Sequence, residues 1–255
     1  NMNLGKNVSY TPTFTFSTYK TELITLSGDD ASFGENGVQK LAILGSPGQN
    51  INLIRVEEGA EIGQFIGWQF DGVNDDGTWR FKDQNNDGTM DTNDEVIIGN
   101  GLPDYEIGFN NSLKIGRFDI NAFFRGSFGH DLINTFRAFY EAQSVSTSYN
   151  VTKTKYYLPE LTDRAIYSDY HVEDGSFFRL QNLDIGYNFD VSDFKALKGL
   201  KLYATGQNLF TITDYTGVDP EVRYADGGNV LAPGIDRRNT WFTSTTFTLG
   251  LNAKF

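Results

Sequence analysis

The residues whose types and spacing best match a known chemistry lie in one acidic stretch, DQNNDGTMDTND, from Asp83 to Asp94. In a twelve-residue calcium loop, oxygen ligands recur at positions 1, 3, 5, 7, 9 and 12, and a glycine at position 6 makes the sharp turn. The corresponding residues are Asp83, Asn85, Asp87, Thr89 (through its carbonyl), Asp91 and Asp94, with Gly88 in the sixth position. Carboxylates this close together repel one another unless a cation neutralises them, so the spacing predicts a Ca²⁺ site.

The predicted site differs from the calcium loop of a sensor protein. Position 12 holds Asp94 in place of a bidentate glutamate, which weakens the coordination unless Glu95 substitutes. The flanking sequences, GTWRF and EVIIGNG, have no amphipathic helical pattern, so a bound ion has no helix pair to open. We therefore expect a structural ion that braces a long loop. The alternative is a solvated turn rich in Asp and Asn, without an ion.

The composition argues against several other functions. The 255 residues contain no cysteine, which excludes disulfides, zinc–thiolate sites and a cysteine nucleophile. The formal net charge of −12, without a cluster of Lys and Arg, argues against nucleic-acid binding. Neither histidine, His130 or His171, lies in a hydrolase motif, and no pair of carboxylates stands out, so we expect no enzyme. No segment has the roughly 20 apolar residues of a membrane-spanning helix.

The elements that must position the acidic loop have the alternating polarity of β-strands with one apolar and one polar face. In the last segment, WFTSTTFTLGLNAKF, Leu249 and Leu251 share one face, and Thr248 and Asn252 share the other. We predict seven strands, at 9–27, 62–70, 105–115, 117–128, 176–189, 200–213 and 241–255. Six residues on the polar face are predicted to line an aqueous lumen: Asp119, Asn121, Arg125, Asn182, Asp184 and Gln207.

The lengths of the connections favour a membrane barrel over a soluble sandwich. Short turns are predicted at 115–117 and 190–199, and long excursions at 71–104, 130–175 and 214–239. Outer-membrane barrels alternate short periplasmic turns with long extracellular loops in this way. The stretch 28–61 breaks the alternation, because it is long where a short turn is due, unless it contains a strand pair at 38–44 and 51–56.

A short surface helix is predicted within the excursion at 130–175. The sequence DLINTFRAFYEA places Leu132, Ile133, Phe136 and Tyr140 at helical spacing. We expect this helix to pack over the mouth of the barrel.

Four stretches together resemble one protein family. They are FKDQNNDGTMDTNDEVIIGNGLPDYEIGFNNSLKIGRFDINAFFRGSFG, VEDGSFFRLQNLDIGYNF, LKLYATGQNLFTITDYTGVDPE and TSTTFTLGLNAKF. In this order they are similar to the late barrel segment of the SusC/RagA-type TonB-dependent outer-membrane transporters of Bacteroidetes. The resemblance covers roughly residues 60–255, with a looser match over 9–71. It implies an all-β fold, an antiparallel transmembrane β-barrel of 22 strands with a plug in its lumen.

The resemblance also implies function and partners. The expected activity is TonB-powered import of glycans, oligosaccharides or peptides across the outer membrane of a Gram-negative bacterium, together with a SusD-like surface lipoprotein. The terminal aromatic, Phe255, matches the signal that the barrel-assembly machinery recognises. No plug or TonB-contacting segment is recognised, so residues 1–255 are expected to be the C-terminal part of the barrel, with 71–104 as an extracellular loop. The expected partners are the lipid bilayer and the remaining barrel and plug, in the same protein or another chain.

Two alternatives remain open from the sequence. The first is a small, self-contained outer-membrane barrel of about eight strands, if 28–61 contains one more strand. The second is a secreted, calcium-stabilised β-sandwich that binds glycans. A sandwich would bury apolar residues such as Phe118, Phe124, Leu249 and Leu251 between two sheets, whereas a barrel would expose them to lipid.

Overall fold

The computed structural model describes residues 2–25, 38–45, 50–141, 150–221, 230–238, 241 and 243–255. In chain order its elements are β1 (Met2–Gly5), β2 (Val8–Thr18), β3 (Val38–Gly45), β4 (Asn50–Glu57), β5 (Gln64–Gly67), β6 (Phe70–Val73), β7 (Trp79–Phe81), β8 (Val96–Asn100), β9 (Tyr105–Ile115), β10 (Phe118–Phe128), β11 (Asp131–Asn134), α1 (Thr135–Tyr140), β12 (Val172–Asp174), β13 (Phe177–Phe189), β14 (Gly199–Thr213), β15 (Ile235–Asp236) and β16 (Thr246–Lys254). Short 3₁₀ turns lie at Thr92–Asp94 and Asp169–His171. No helix in these ranges is long and apolar enough to cross a membrane.

Seven strands form one antiparallel sheet in the order β1-β2-β9-β10-β13-β14-β16. The pairing of β9 with β10 is regular over its whole length, from Phe118 opposite Ile115 to Phe128 opposite Tyr105. Aromatic and β-branched side chains suit such a pleated surface. Gly116, with a φ of +57°, makes the tight turn between these two strands.

Short and long connections alternate along this sheet in the part of the chain that the structure describes. Residues 6–7, 116–117 and 190–198 join strands at one end, and 19–104, 129–176 and 214–245 join them at the other. The stretch 28–61 lies inside the first long connection, so it does not break the alternation. The strand pair considered at 38–44 and 51–56 is present there as β3 and β4.

Several predicted strand boundaries were wrong. The segment 62–70 is not in the large sheet, because its strand β5 belongs to a separate sheet, β3-β4-β5-β8, within the long connection. The seventh strand of the large sheet is β1, which is too short for its alternation to be recognised. Strand β2 ends at Thr18 and not at residue 27, and β16 begins at Thr246 and not at residue 241. The polar run STT before Phe247 carries no alternation that would extend the strand.

The two faces of the large sheet differ chemically, as the alternation predicts. One row of register partners is Phe14, Phe109 and Phe124, and another is Ile120, Ile185, Ala204 and Leu249. Many side chains on this face are exposed, with 63% for Phe14, 76% for Phe247 and 82% for Leu249. An apolar surface of this extent indicates contact with lipid or with another protein.

The main hydrophobic core lies in the long connections and not against the sheet. Its buried members are Leu53, Ile54, Val56, Phe65, Ile133, Ala138, Tyr167, Ala232 and Ile235. Among the described residues of the large sheet, the buried hydrophobic side chains are Phe177 and Leu180, near the end of β13 that adjoins a long connection. The β-sandwich alternative requires a dry core along the apolar face, and the described residues place none there.

The helix predicted in DLINTFRAFYEA is present but shorter than its spacing suggested. It is α1, of six residues, and Leu132 and Ile133 lie before it in β11. The side chain of Asn134 caps it by accepting a hydrogen bond from the Arg137 amide at 3.1 Å. Strand β11 lies between β12 and β15 in a three-stranded sheet, which joins the second and third long connections.

Candidate functional site

The polar face of the large sheet is concave. Side chains from β2, β9, β10, β13, β14 and β16 line one concavity of about 570 Å³. A row of register partners crosses it, formed by Thr11, Ser112, Asn121, Asp184, Thr205 and Thr248. A polar concave face opposite an exposed apolar face is the arrangement of a barrel wall around an aqueous lumen.

The predicted lumen residues share this face. Asp119, Asn121 and Asp184 line the concavity itself. Asn182 and Gln207 are register partners one pair further toward the long connections. Arg125 lies further still in that direction and lines a second cavity, of about 470 Å³.

Hydrogen bonds between neighbouring strands hold these polar side chains in place. The Asp119 carboxylate accepts from Asn188 at 2.6 Å and from Lys201 at 3.1 Å. Asp184 accepts from Thr205 at 2.6 Å and also from Asn182. These contacts place hydrogen-bond donors and acceptors side by side on the polar face.

The acidic loop is organised around its own backbone amides. Asp83 accepts hydrogen bonds from the amides of Asn86 (2.7 Å) and Gly88 (2.8 Å). Asp87 accepts from the Thr89 amide at 2.8 Å, and Asp91 accepts from the Asn93 amide at 2.7 Å. Gly88 has a φ of +81°, as the sharp turn at the sixth position requires.

Asp94, at the twelfth position, closes this loop. It is fully buried and accepts hydrogen bonds from the amides of Asp91 and Gln84, each at 2.9 Å. The Asp91 amide is the main cause that lowers the pKa of Asp94, and the Gln84 amide adds to it. Glu95, considered above as a substitute ligand, forms an ion pair with Lys40 instead.

The carboxylate, amide and carbonyl oxygens of the acidic loop are the types of ligand that a hard cation such as Ca²⁺ prefers. A carboxylate has about four lone-pair sites, so one or two accepted N–H bonds leave sites for an ion. Within the described residues, however, no three His, Cys, Asp or Glu side chains are arranged so that together they could hold a metal ion. The loop is also fixed from outside, because the Trp68 indole donates to the Asp91 carbonyl at 3.0 Å.

A buried polar network in the long connections was not predicted. Arg137 of α1 is 1% exposed and contacts Glu141 at 2.9 Å and Glu173 at 3.1 Å. Glu173 also accepts from Asn134 at 3.0 Å and from the Thr216 amide at 2.8 Å. The network therefore joins the second and third long connections. Its only local signal is the spacing of Arg137 and Glu141, four residues apart on a helix.

Phe255, the predicted assembly signal, follows the end of β16. Its side chain is 80% exposed, and its carbonyl accepts from Lys198 at 3.3 Å. It lies at the end of the sheet where the short connections are found, next to 190–198.

Comparisons with known proteins identify relatives of this chain. No protein-family model matches it. It is 34% identical to TonB-dependent receptor P3 of Formosa agariphila, over 98% of this chain and 27% of that receptor. It is 30% identical to TonB-dependent receptor SusC of Bacteroides thetaiotaomicron, over 65% of this chain and 16% of SusC.

The fold is also found in a solved structure. That structure, of the RagAB peptide transporter, matches with a TM-score of 0.77 and 19% identity, over 98% of this chain and 27% of that chain. The chain thus spans about a quarter of the length of the receptor P3 and of the matched transporter chain. The resemblance to the SusC/RagA-type TonB-dependent receptors is confirmed, whereas the position of this segment within the barrel stays a prediction. The relatives are receptors and transporters, which also confirms the expectation that the chain is not an enzyme.

Proposed function

Because the chain is homologous to a part of the SusC/RagA-like TonB-dependent receptors, we propose that it is the C-terminal part of such a barrel and forms part of the wall of a nutrient-import pore. The observation that carries this proposal is the division of one seven-stranded sheet into an exposed apolar face and a concave polar face. In the outer membrane the first face contacts lipid and the second faces the lumen.

The open edges of the sheet support a position within a larger barrel. The terminal strands are β1 and β16, and each is paired on one side in the described part of the chain. An unpaired strand edge in lipid costs on the order of several kcal/mol for each unsatisfied backbone group. Further strands must therefore pair with both edges, as in the 22-stranded barrels of such transporters. This favours the large barrel over a self-contained small one.

The long connections support the proposed orientation. They form a body with its own hydrophobic core at one end of the sheet, where outer-membrane barrels carry their extracellular loops. We assign this body to the cell surface, where a SusD-like lipoprotein would cover it. The imported molecules would be glycans, oligosaccharides or peptides, and TonB would act on the remaining part of the transporter.

The acidic loop has a structural role in this proposal. A Ca²⁺ ion held by Asp83, Asn85, Asp87, the Thr89 carbonyl, Asp91 and Asp94 would neutralise carboxylates that recur at the spacing of a calcium loop, and would draw them together around itself. Its contribution would be to stiffen the segment 71–104 on the extracellular side. Phe255 would serve as the C-terminal recognition residue during barrel assembly.

Two neighbouring residues of β16 test the assignment of the faces. Leu251 is 65% exposed on the apolar face, and Asn252 lines the concavity on the polar face. In the full-length transporter in vesicles, a spin label on Leu251→Cys should collide with oxygen, which concentrates in lipid. A label on Asn252→Cys should collide with a water-soluble nickel complex.

The same preparation tests the partners. A SusD-like lipoprotein and a plug-bearing polypeptide should copurify with the chain in mild detergent. Water accessibility of both labels, together with recovery of a monomeric chain without detergent, would refute the proposal in favour of a soluble sandwich.

A further inference from the structure

Two arginines lie directly opposite one another on the polar face, close to the long connections. Arg125 of β10 and Arg179 of β13 are register partners. Both guanidinium groups also approach the ring of Phe177, at 5.5 Å and 5.2 Å from its centroid. Like charges in such a cross-strand pair destabilise a sheet unless an anion bridges them.

In this structure the bridging anion is a side chain of the protein itself. One carboxylate oxygen of Glu221 forms ion pairs with both Arg125 and Arg179, the latter at 3.1 Å. Arg179 is held further by Asp219 at 2.7 Å and by the Thr211 hydroxyl at 2.8 Å. Arg179 therefore has a carboxylate of its own even when Glu221 is elsewhere, whereas Glu221 is the carboxylate that pairs with Arg125.

The bridge is accessible from a cavity. The side chains of Arg125 and Glu221 are 29% and 31% exposed, whereas that of Arg179 is 3% exposed. Arg125 and Glu221 both line the cavity of about 470 Å³, next to the apolar surfaces of Phe177 and Leu132. Glu106 also lines this cavity, but its register partner is Ser127 and not an arginine. A small anion could therefore reach Arg125 from the lumen side.

We propose that Arg125 and Arg179 form an oxyanion-binding site in the outer part of the pore, and that Glu221 is its internal occupant. The site takes a carboxylate, sulfate or phosphate group carried by an imported molecule, which displaces Glu221 from Arg125. Guanidinium groups suit this exchange because they bind such groups through paired, charge-assisted hydrogen bonds. The role in import rests on the proposed function, but the site itself follows from the ion pairs.

The internal carboxylate sets the strength of binding. A tethered competitor acts at a local concentration in the millimolar range, so an external anion must compete with it. Neutralising Glu221 removes the competitor and leaves the cross-strand arginine pair without its bridge. We expect the affinity for an external oxyanion to rise about tenfold or more as a result.

Sulfate binding to the purified full-length transporter in detergent tests the proposal. Titration calorimetry would be run at constant ionic strength, with chloride replacing sulfate. Glu221→Gln should bind sulfate at least about tenfold more tightly than the wild type. Adding Arg125→Gln to that variant should abolish the gain. The control is Arg117→Gln, which removes the same charge just before the opposite end of β10, where Arg117 pairs with Asp190 at 2.6 Å. It should leave sulfate binding unchanged.

The proposal fails if Glu221→Gln binds sulfate no more tightly than the wild type, or if Arg125→Gln leaves the gain intact. If Glu221→Gln does not assemble, the wild type supplies the test, because its weaker sulfate binding must fall in Arg125→Gln and persist in Arg117→Gln. These measurements require no import. A negative result therefore refutes the anion site alone, whereas the label accessibility and copurification tests decide the barrel assignment.

Discussion

Replacement of Leu249 by arginine distinguishes a sheet that faces lipid from one that faces water. Leu249 is 82% exposed in this structure, so its removal leaves no internal cavity. A large loss of stability in Leu249→Arg can therefore come only from the cost of placing arginine in the medium, lipid or water, that surrounds this face. On the surface of a soluble protein, such a change alters the free energy of unfolding by no more than about 0.5 kcal/mol.

The position of Leu249 in its strand sets the expected effect in a membrane. Strand β16 has nine residues, from Thr246 to Lys254, so its midpoint is residue 250. At about 3.4 Å per residue, Leu249 lies within roughly 4 Å of the middle of the strand. Arginine near the midplane on the lipid face of a barrel costs about 2–4 kcal/mol. We expect Leu249→Arg to lower the free energy of unfolding by this amount.

The neighbouring residue provides the matched control. Thr248 is also exposed, but it lies on the polar face opposite Thr205. Thr248→Arg should change the stability by less than about 1 kcal/mol, because it enters an aqueous lumen. Guanidinium unfolding of the full-length transporter in phospholipid vesicles, followed by tryptophan fluorescence, measures both. Equal and small effects of the two substitutions would refute the assignment of the lipid face.

Three further predictions concern the long connections. Removal of calcium with a chelator should increase proteolysis of residues 71–104. Asp87→Asn should abolish this calcium dependence, although its amide oxygen can still accept the hydrogen bond from the Thr89 amide. Mass spectrometry of the fragments measures both effects, and unchanged cleavage after chelation contradicts a bound ion. Arg137→Met should destabilise the connections by about 3–5 kcal/mol, because Glu141 and Glu173 stay buried without their counter-charge. Hydrogen exchange of α1 measures this loss of stability. Adding Glu173→Gln to Arg137→Met should restore part of it, because one of the two unpaired charges is removed. Burial lowers the pKa of His171 from 6.5 to about 3, so the opened state binds a proton more readily between these values. The stability that His171 contributes is complete above pH 6.5 and falls by up to about 1.4 kcal/mol per pH unit below it. The protection factors of amides near His171, which compare the observed exchange with the intrinsic rate at each pH, should therefore fall from pH 7 to pH 5 in the wild type and less in His171→Phe.

The parts of the fold that the sequence predicts best are the parts with a strict local period. Strands β9 and β10 alternate cleanly, and the structure pairs them in the register that their shared apolar face requires. The six predicted lumen residues lie on one face for the same reason, since a period of two assigns every side chain of a strand at once. In β13 a bulge at Gln181 interrupts this period, because the register passes from Leu180 directly to Asn182.

The remaining parts depend on contacts between distant segments. Strand β1 has four residues, too few to show a period. Residues 62–70 have the composition of a strand of the large sheet, but strand β5 within them pairs with β4 and with β8, which lies about 30 residues further along the chain. The Arg125–Arg179 pair could not be found from either strand alone, because only the register brings the two side chains together. The predicted ligand spacing in 83–94 is visible in the sequence, whereas the burial of Asp94 and the ion pair of Glu95 with Lys40 depend on the fold.

The separation of core from sheet has a consequence for how the two regions are stabilised. The connections bury a hydrophobic core and the Arg137 network, so their stability has a source within this chain. The large sheet buries few apolar side chains of its own, so in the proposed barrel it would depend on the bilayer and on neighbouring strands. The segment 219–221 joins the two regions, because Asp219 and Glu221 pair with arginines of the large sheet and the Pro220 carbonyl accepts a hydrogen bond from the His130 ring. An anion that displaced Glu221 would therefore loosen the attachment of the connections to the wall without disturbing the core of either region.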